Sequence, residues 1–188
     1  MGQRDRFDGQ FDEVIAAARA GSPRAFQRIF EALAPVVEGY LRLQGAAEPE
    51  DLTSEVFIAV VRNLASFEGD EAGFRSWVFT IAHRRLLDAR RRMSRRPPLA
   101  SLDEAPEPEA PDNVEDAIEQ ALSRAQVRAL CERLVPDQRD VLLMRLLGHL
   151  TVEEVATTLD KTPGAVKALQ RRGFLAISRL IEREGVPL

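Results

Sequence analysis

Near its middle the chain reads RRPPLASLDEAPEPEAPDN, a run with five prolines, dense acid and almost no large apolar residues. Such a run cannot bury enough surface to offset the entropy of ordering it, so residues 98–113 read as a flexible acidic linker. No single core can pass through it. The 188 residues therefore divide into two parts, 11–97 and 114–184, each of which must bury its own apolar surface. At 45% hydrophobic the chain has enough apolar surface for two small cores, and eleven prolines with few aromatics argue against a large sheet.

Every strongly periodic segment outside the linker repeats at helical spacing, which predicts an all-α fold of two small helical domains. In the first part a helix from Phe11 to Ala20 stops at Gly21-Ser22-Pro23. A second runs from Pro23 or Arg24 through Leu33, and Pro35 opens a third that reaches about Leu43. Glu50–Leu64 follows, buried along Leu52, Val56, Val60 and Leu64. A last long helix begins near Phe74, anchored by Phe74, Trp77, Val78 and Ile81. In the second part helices are expected at Val114–Leu134, Pro136–Leu147, Val152–Leu159 and Pro163–Glu184.

The net charge of −4 is unevenly placed. Residues 1–97 carry fifteen basic and fourteen acidic side chains, residues 98–122 carry eight acids and no base, and residues 123–188 carry eleven bases and eight acids. The acidity sits in the linker, so a mildly acidic whole does not argue against a nucleic-acid partner. The N-terminus lacks an apolar signal region, and no run approaches the roughly 18 apolar residues of a membrane span. A single cysteine, Cys131, excludes an internal disulfide and fits a reducing cytoplasm; its place between Leu130 and Leu134 makes it a small core residue.

Residues 151–172, TVEEVATTLDKTPGAVKALQRR, read as a helix-turn-helix. Thr151 is a good N-cap with Glu154 three residues on, and Pro163 suits the first position of the second helix. There Val166, Leu169, Gly173, Ile177 and Leu180 share one face, while Lys167, Ala168, Arg171 and Arg172 point away. Small and cationic residues opposite a buried stripe suit the DNA major groove, although an ordinary helical hairpin with a solvated basic face has the same pattern.

Two further stretches carry chemistry. Asp51, Ser54, Glu55, Ile58 and Arg62 cluster on the side of the Glu50 helix away from its apolar stripe, as a helix docking on a partner would show; spacing alone does not separate this from a solvated face. Seven arginines fall within Arg84–Arg96, more than a helix C-terminus needs and well suited to phosphates. The loop Phe67–Gly73 between these helices carries two glycines and can receive a single unstacked base, or can be a plain connection. Enzymatic signatures are missing: His83 and His149 have no metal-ligand spacing, and no phosphate-binding glycine loop or nucleophile elbow occurs. The sequence therefore predicts no catalytic residues, no metal and no cofactor.

From about Ala25 to Leu180 the chain resembles the extracytoplasmic-function sigma factors, the minimal members of the bacterial sigma-70 family, which hold only regions two and four. PEDLTSEVFIAVVRNLASFEGDEAGFRSWVFTIAHRRLLDARRR looks like region two, and LVPDQRDVLLMRLLGHLTVEEVATTLDKTPGAVKALQRRGFLAISRL looks like region four. The resemblance implies a promoter-specific transcription initiation factor whose partners are core RNA polymerase, promoter DNA and an anti-sigma factor. Asp51, Leu52, Glu55 and Phe57 match the DLxQEVF signature of the helix that binds the β′ clamp helices, with Ser54 in place of the usual glutamine and Ile58 and Arg62 on the same helix. Phe67, Glu68, Gly69, Asp70, Arg75, Arg84, Arg85 and Arg91 fall where the family captures the melted −10 strand. Thr162, Gly164, Ala165, Lys167, Ala168, Arg171 and Arg172 fall on the reader of the −35 duplex, where GAVKALQRR departs from the commoner GTVKSRLHRAR. Pro136-Asp137-Gln138-Arg139 matches the turn that faces the polymerase flap, and the acidic linker matches the connector toward the RNA exit path.

Two other functions compete. A stand-alone helix-turn-helix regulator would bind duplex DNA as a symmetric dimer, but leaves the acidic stripe and the arginine helix without a purpose. A small helical hydrolase would use Asp51, Glu55 and His83.

Overall fold

A computed structural model of the chain describes residues 7–95 and 125–184; the acidic run 98–113 and the predicted helical start at 114 lie outside the described residues. Among the described residues the regular elements are all helical. They are α1 (Phe11–Arg19), α2 (Pro23–Leu43), α3 (Pro49–Asn63) with a single 3-10 turn (Leu64–Ser66), α4 (Glu71–Arg95), α5 (125–132), α6 (Pro136–Leu146), α7 (Val152–Leu159) and α8 (Pro163–Glu184).

Local chemistry explains most boundaries. Ser22 caps α2, its hydroxyl accepting from the Ala25 N–H, and Pro23 occupies the first turn, where a missing N–H costs nothing. The expected break at Pro35 does not occur. A proline inside a helix forfeits one backbone bond, but Ile29, Leu33, Ala34, Val37, Tyr40 and Leu41 form a buried stripe on both sides of it. Tertiary burial outweighs that local loss, and α2 runs through as one helix. Helix α4 starts earlier than Phe74 because Asp70 caps it: its Oδ1 accepts from the Gly73 N–H at 2.8 Å and its carbonyl from the Phe74 N–H at 2.8 Å.

The first group of helices packs around Tyr40, Val56, Val60, Leu64, Phe74, Val78, Phe79 and Leu86, and Phe7 ahead of α1 joins it through an edge contact with Phe11. The buried stripe of α3 is the expected one. On α4 it is shifted: Trp77 and Ile81 are only half-buried, whereas Phe79, Ala82 and Leu86 are fully covered. The cause lies in the second group, because α7 also packs on α4, with Thr80 meeting Thr158.

That second group buries Val141, Leu142, Met144, Leu150, Val155 and Val166, with Cys131 at its edge. Gly173 lets α8 approach α6: a Cβ there would stand 2.7 Å from Leu142 Cδ1. The two groups also meet each other. The Thr80 and Thr158 hydroxyls are 2.9 Å apart, and a Cβ on Gly148 would lie 3.1 Å from the Phe79 ring. Two independent cores were expected; the structure joins them into one continuous apolar cluster. Gly173→Val should destabilise the α6–α8 pair by about 1–3 kcal/mol through overpacking. A lowered denaturation midpoint would show this; an unchanged one would mean that Leu142 moves aside freely.

Candidate nucleic-acid interface

The helix-turn-helix is built from local signals that the structure realises in full. Thr151 and Glu154 form a reciprocal capping box, the Glu154 N–H reaching the Thr151 hydroxyl at 3.2 Å and the Thr151 N–H reaching Glu154 Oε2 at 2.5 Å. Asp160 ends α7 in the left-handed region at φ 52°, a conformation that Asp tolerates better than most residues. Lys161 Nζ then bonds Asp137 Oδ2 at 2.9 Å, pinning the turn to the start of α6. Thr162 caps α8 by accepting from the Ala165 N–H at 3.2 Å. With Val166, Leu169 and Gly173 buried, the rotation of α8 is set, and Thr162, Gly164, Lys167, Ala168, Arg171 and Arg172 are exposed with Ala165 half-buried beside them. The face is cationic, small in profile and without a carboxylate.

On α3 the opposite sides separate as expected. Asp51, Ser54, Ile58 and Arg62 are exposed and Glu55 is half-exposed, whereas Leu52 and Phe57 turn inward, Phe57 packing edge-on against Phe30 at 4.9 Å. Phe30, Ile58 and Val61 leave an apolar groove between α2 and α3, each of them 45–50% exposed. On the other flank Asp51, Leu52 and Glu55 line a cleft of about 500 Å³ with Leu86, Arg90 and Arg92 of α4.

The arginines of α4 do not form one patch. Arg84 and Arg91 face solvent, Arg91 lying 3.4 Å from Asp88. Arg85 and Arg92 turn toward Glu55 of α3, at 3.8 and 3.6 Å. Arg90 turns inward and donates to the Gln44 carbonyl at 2.5 Å. Of the seven expected arginines Arg90 is thus withdrawn from phosphates, and the side chains of Arg95 and Arg96 lie outside the described residues.

The loop ahead of α4 is shorter than its sequence suggested. Glu68, Gly69 and Asp70 are exposed, with Gly69 at φ 140°, a backbone angle that glycine alone takes readily. Phe67 is not a free stacking surface. It is 6% exposed and packs on Phe74 and Trp77, with ring centroids 5.1 and 5.3 Å away. Arg75 is likewise buried, 3.9 Å from Glu71. An aromatic ring beside a helix start gains more from burial than from water, so Phe67 supports the loop from below, its ring 3.2 Å from where a Cβ on Gly69 would stand. Sequence reading missed Arg19. Its guanidinium reaches up from α1 to the Leu64 and Phe67 carbonyls and holds the loop's base, a long-range contact without a local signal.

Residues 29–96 match the family model for sigma-70 region 2, and residues 124–177 match that for sigma-70 region 4. SigD of Mycobacterium tuberculosis, an ECF RNA polymerase sigma factor, is 30% identical over 179 residues, covering 88% of this chain and 81% of that protein. The chain belongs to the extracytoplasmic-function sigma factors of the sigma-70 family. ECF sigma factor RpoE of Cereibacter sphaeroides is 31% identical, covering 83% of this chain and 84% of its own length. BldN of Streptomyces coelicolor is 31% identical over 90% of this chain, which spans 65% of that relative's length. Among solved structures, CnrH bound to the cytosolic domain of CnrY shares the fold, with a TM-score of 0.67, 20% identity and coverage of 96% of this chain and 98% of its own. RpoE of Bartonella quintana bound to NepR shares it with a TM-score of 0.62, 17% identity and coverage of 84% and 96%.

The region 2 match therefore covers most of α2 with α3 and α4, and the region 4 match covers α5 through most of α8. No described helix of this sigma factor is long and apolar enough to cross a membrane. Where the two regions meet, they enclose a polar cluster that sequence reading did not foresee. The Tyr40 hydroxyl stands 2.9 Å from His83 Nδ1, and Gln44 Nε2 donates to Asp140 Oδ1 at 2.5 Å. Burial pushes the His83 imidazole below its ordinary 6.5, against the pull of Asp140 and with the push of Arg90. Burial also lifts the Asp140 carboxyl, although His83, Gln44 and Arg90 oppose the rise. The signs differ. With a depressed value, His83 contributes stability above about 6.5 that is lost as the pH falls below it. With a raised value, Asp140 contributes stability at low pH that is lost as the pH rises. Acidification from about pH 7.5 to 6 should therefore lower the melting temperature through His83, and His83→Gln should flatten that trend. Equal losses in both proteins, measured by thermal denaturation, would remove His83 as the cause.

Proposed function

We propose that this sigma factor binds core RNA polymerase through the outer face of α3, reads the −35 duplex with α8, and holds the melted −10 strand at the 68–70 loop and, farther along α4, at Arg84 and Arg91, with no catalysis of its own. One observation carries the reading: the chain presents two unlike faces at once. Exposed Lys167, Ala168, Arg171 and Arg172 sit opposite a buried stripe on α8, while exposed Asp51, Ser54 and Ile58 and half-exposed Glu55 sit opposite another on α3. A stand-alone dimeric regulator needs only the first face. Lys167, Arg171 and Arg172 supply phosphate contacts that position α8, and Gly164, Ala165 and Ala168 let the backbone approach the base edges. The exposure of Asp137 at the start of α6 supports a flap contact at that turn.

Melting the −10 bases costs a few kcal/mol of stacking, which capture of the exposed strand offsets. The linked regions raise each other's effective concentration on one promoter, so neither half alone should suffice. An anti-sigma factor belongs to the reading as well, since CnrH is bound to CnrY and the Bartonella RpoE to NepR. The apolar groove at Phe30, Ile58 and Val61 continues the proposed polymerase face on α3.

Lys167→Ala and Arg171→Ala should each weaken −35 duplex binding and reduce the slope of log affinity against log salt by about 0.9. Asp51→Ala and Glu55→Ala should lower affinity for core polymerase about tenfold, or ~1.4 kcal/mol, and leave −35 binding of the free protein unchanged. Run-off transcription by purified core polymerase is the decisive assay. Promoter-specific product that does not depend on the added protein would sink the reading, and equal loss of both activities in every variant would indicate unfolding.

A further inference from the structure

Between α3 and the 68–70 loop the backbone has little support of its own. The single 3-10 turn Leu64–Ser66 is closed by one bond, from the Phe67 N–H to the Leu64 carbonyl at 3.2 Å, and Phe67 then extends at φ −75° and ψ 132°. A turn of this kind holds weakly by itself. Arg19 supplies the rest: its Nε donates to the Leu64 carbonyl at 3.4 Å and its Nη2 to the Phe67 carbonyl. One planar guanidinium thus clamps both ends of the turn.

Arg19 is itself fixed in place. It is the last residue of α1, whose end is closed by two backbone bonds, Gly21 N–H to the Ala18 carbonyl and Ser22 N–H to the Ala17 carbonyl, with Gly21 at φ 84°. Phe11, Val14, Ile15 and Ala18 bury the inner side of α1, and the Phe11 ring meets that of Phe74, on which Phe67 also packs. The helix lies ahead of the span that matches region 2, which begins at residue 29.

At its far end the loop is held again, because Asp70 caps α4 through the Gly73 and Phe74 N–H groups. Only Glu68 and Gly69 remain between the two anchors, and Gly69 rests over the Phe67 ring. A two-residue span pinned at both ends presents its backbone in one arrangement, so a strand that binds it does not have to order it first. Under the promoter reading above, on which this inference rests, that arrangement matters at the −10 step. We propose that Arg19 is a positioning residue for −10 capture: it touches no DNA, and through the Leu64 and Phe67 carbonyls it sets the backbone that the loop offers to the melted strand. Helix α1 thereby belongs to the −10 reader although it lies outside the region 2 match.

Arg19 is exposed, so the rival role is a direct phosphate contact by its charge. The two roles make different demands. A phosphate accepts any cation, whereas two carbonyls at once need the planar fork that arginine has and lysine lacks. Holoenzyme made from core polymerase and the full chain tests this on a promoter that it transcribes by run-off. One probe is a fluorescein-labelled oligonucleotide carrying that promoter's non-template −10 strand; the other is a duplex carrying its −35 element. Arg19→Ala and Arg19→Lys should both lose about tenfold in affinity for the single strand, the effect of returning freedom to one or two backbone residues. Both should keep wild-type affinity for the −35 duplex and for core polymerase, the same helix content, and the same slope of log affinity against log salt.

Rescue by lysine, or a slope reduced by about 0.7 in the alanine variant, would reveal a phosphate contact and overturn the positioning role. Wild-type single-strand affinity in the alanine variant would overturn it too. Equal losses on both probes would make Arg19 a general support of the fold, which also overturns the proposal. If the wild-type holoenzyme itself fails to bind the single strand, the −10 reading fails first and this inference falls with it.

Discussion

Burial of one stripe of α4 sets the geometry of almost everything else. Phe74, Val78, Phe79, Ala82 and Leu86 lie fully covered between the α2–α3 pair and the second group of helices. Each large side chain contributes roughly 1.5–3 kcal/mol by leaving water, so the helix has one stable rotation about its axis. That rotation sends Arg84 and Arg91 to solvent, turns Arg85 and Arg92 toward Glu55, and presents Thr80 and His83 to region 4. The same helix begins at the Asp70 cap, so the loop ahead of it is aimed by the core as well.

Charge follows from that geometry rather than from composition. The arginine-rich end of α4 suggests a uniform phosphate-binding surface, yet its guanidiniums are divided among solvent, the α3 acid and the Gln44 carbonyl. The Glu55 pairs are half-exposed, and such pairs hold weakly in water. The inward pair of Arg90 with Gln44 is of another kind, since it organises the socket that receives Asp140.

How much was legible depended on the range of the interactions. The helix-turn-helix could be read residue by residue, because a capping box, a proline at the first helical position and a capped turn are each contained within about four residues. The outer face of α3 was legible for the same reason. Pro35 misled because its cost is local while the burial of Val37, Tyr40 and Leu41 that outweighs it comes from α3 and α4. Phe67 misled in the opposite sense: a loop aromatic looks available until Phe74 and Trp77 are placed beneath it. Arg19 gave no signal, since its carbonyl partners lie more than forty residues away.

By itself the sequence determined the helical class, the caps, and which side of α3 and α8 would face outward. Those depend on periodicity and on short-range hydrogen bonds, which neighbours along the chain decide. Tertiary structure alone decided that the two regions share one apolar cluster, that Phe67 and Arg75 lie inside, and that Asp140 enters a socket made by Tyr40, Gln44, His83 and Arg90. For the socket, residues roughly fifty to a hundred positions apart must meet. A buried carboxylate is tolerable only once its donors have arrived, and no local pattern announces their arrival.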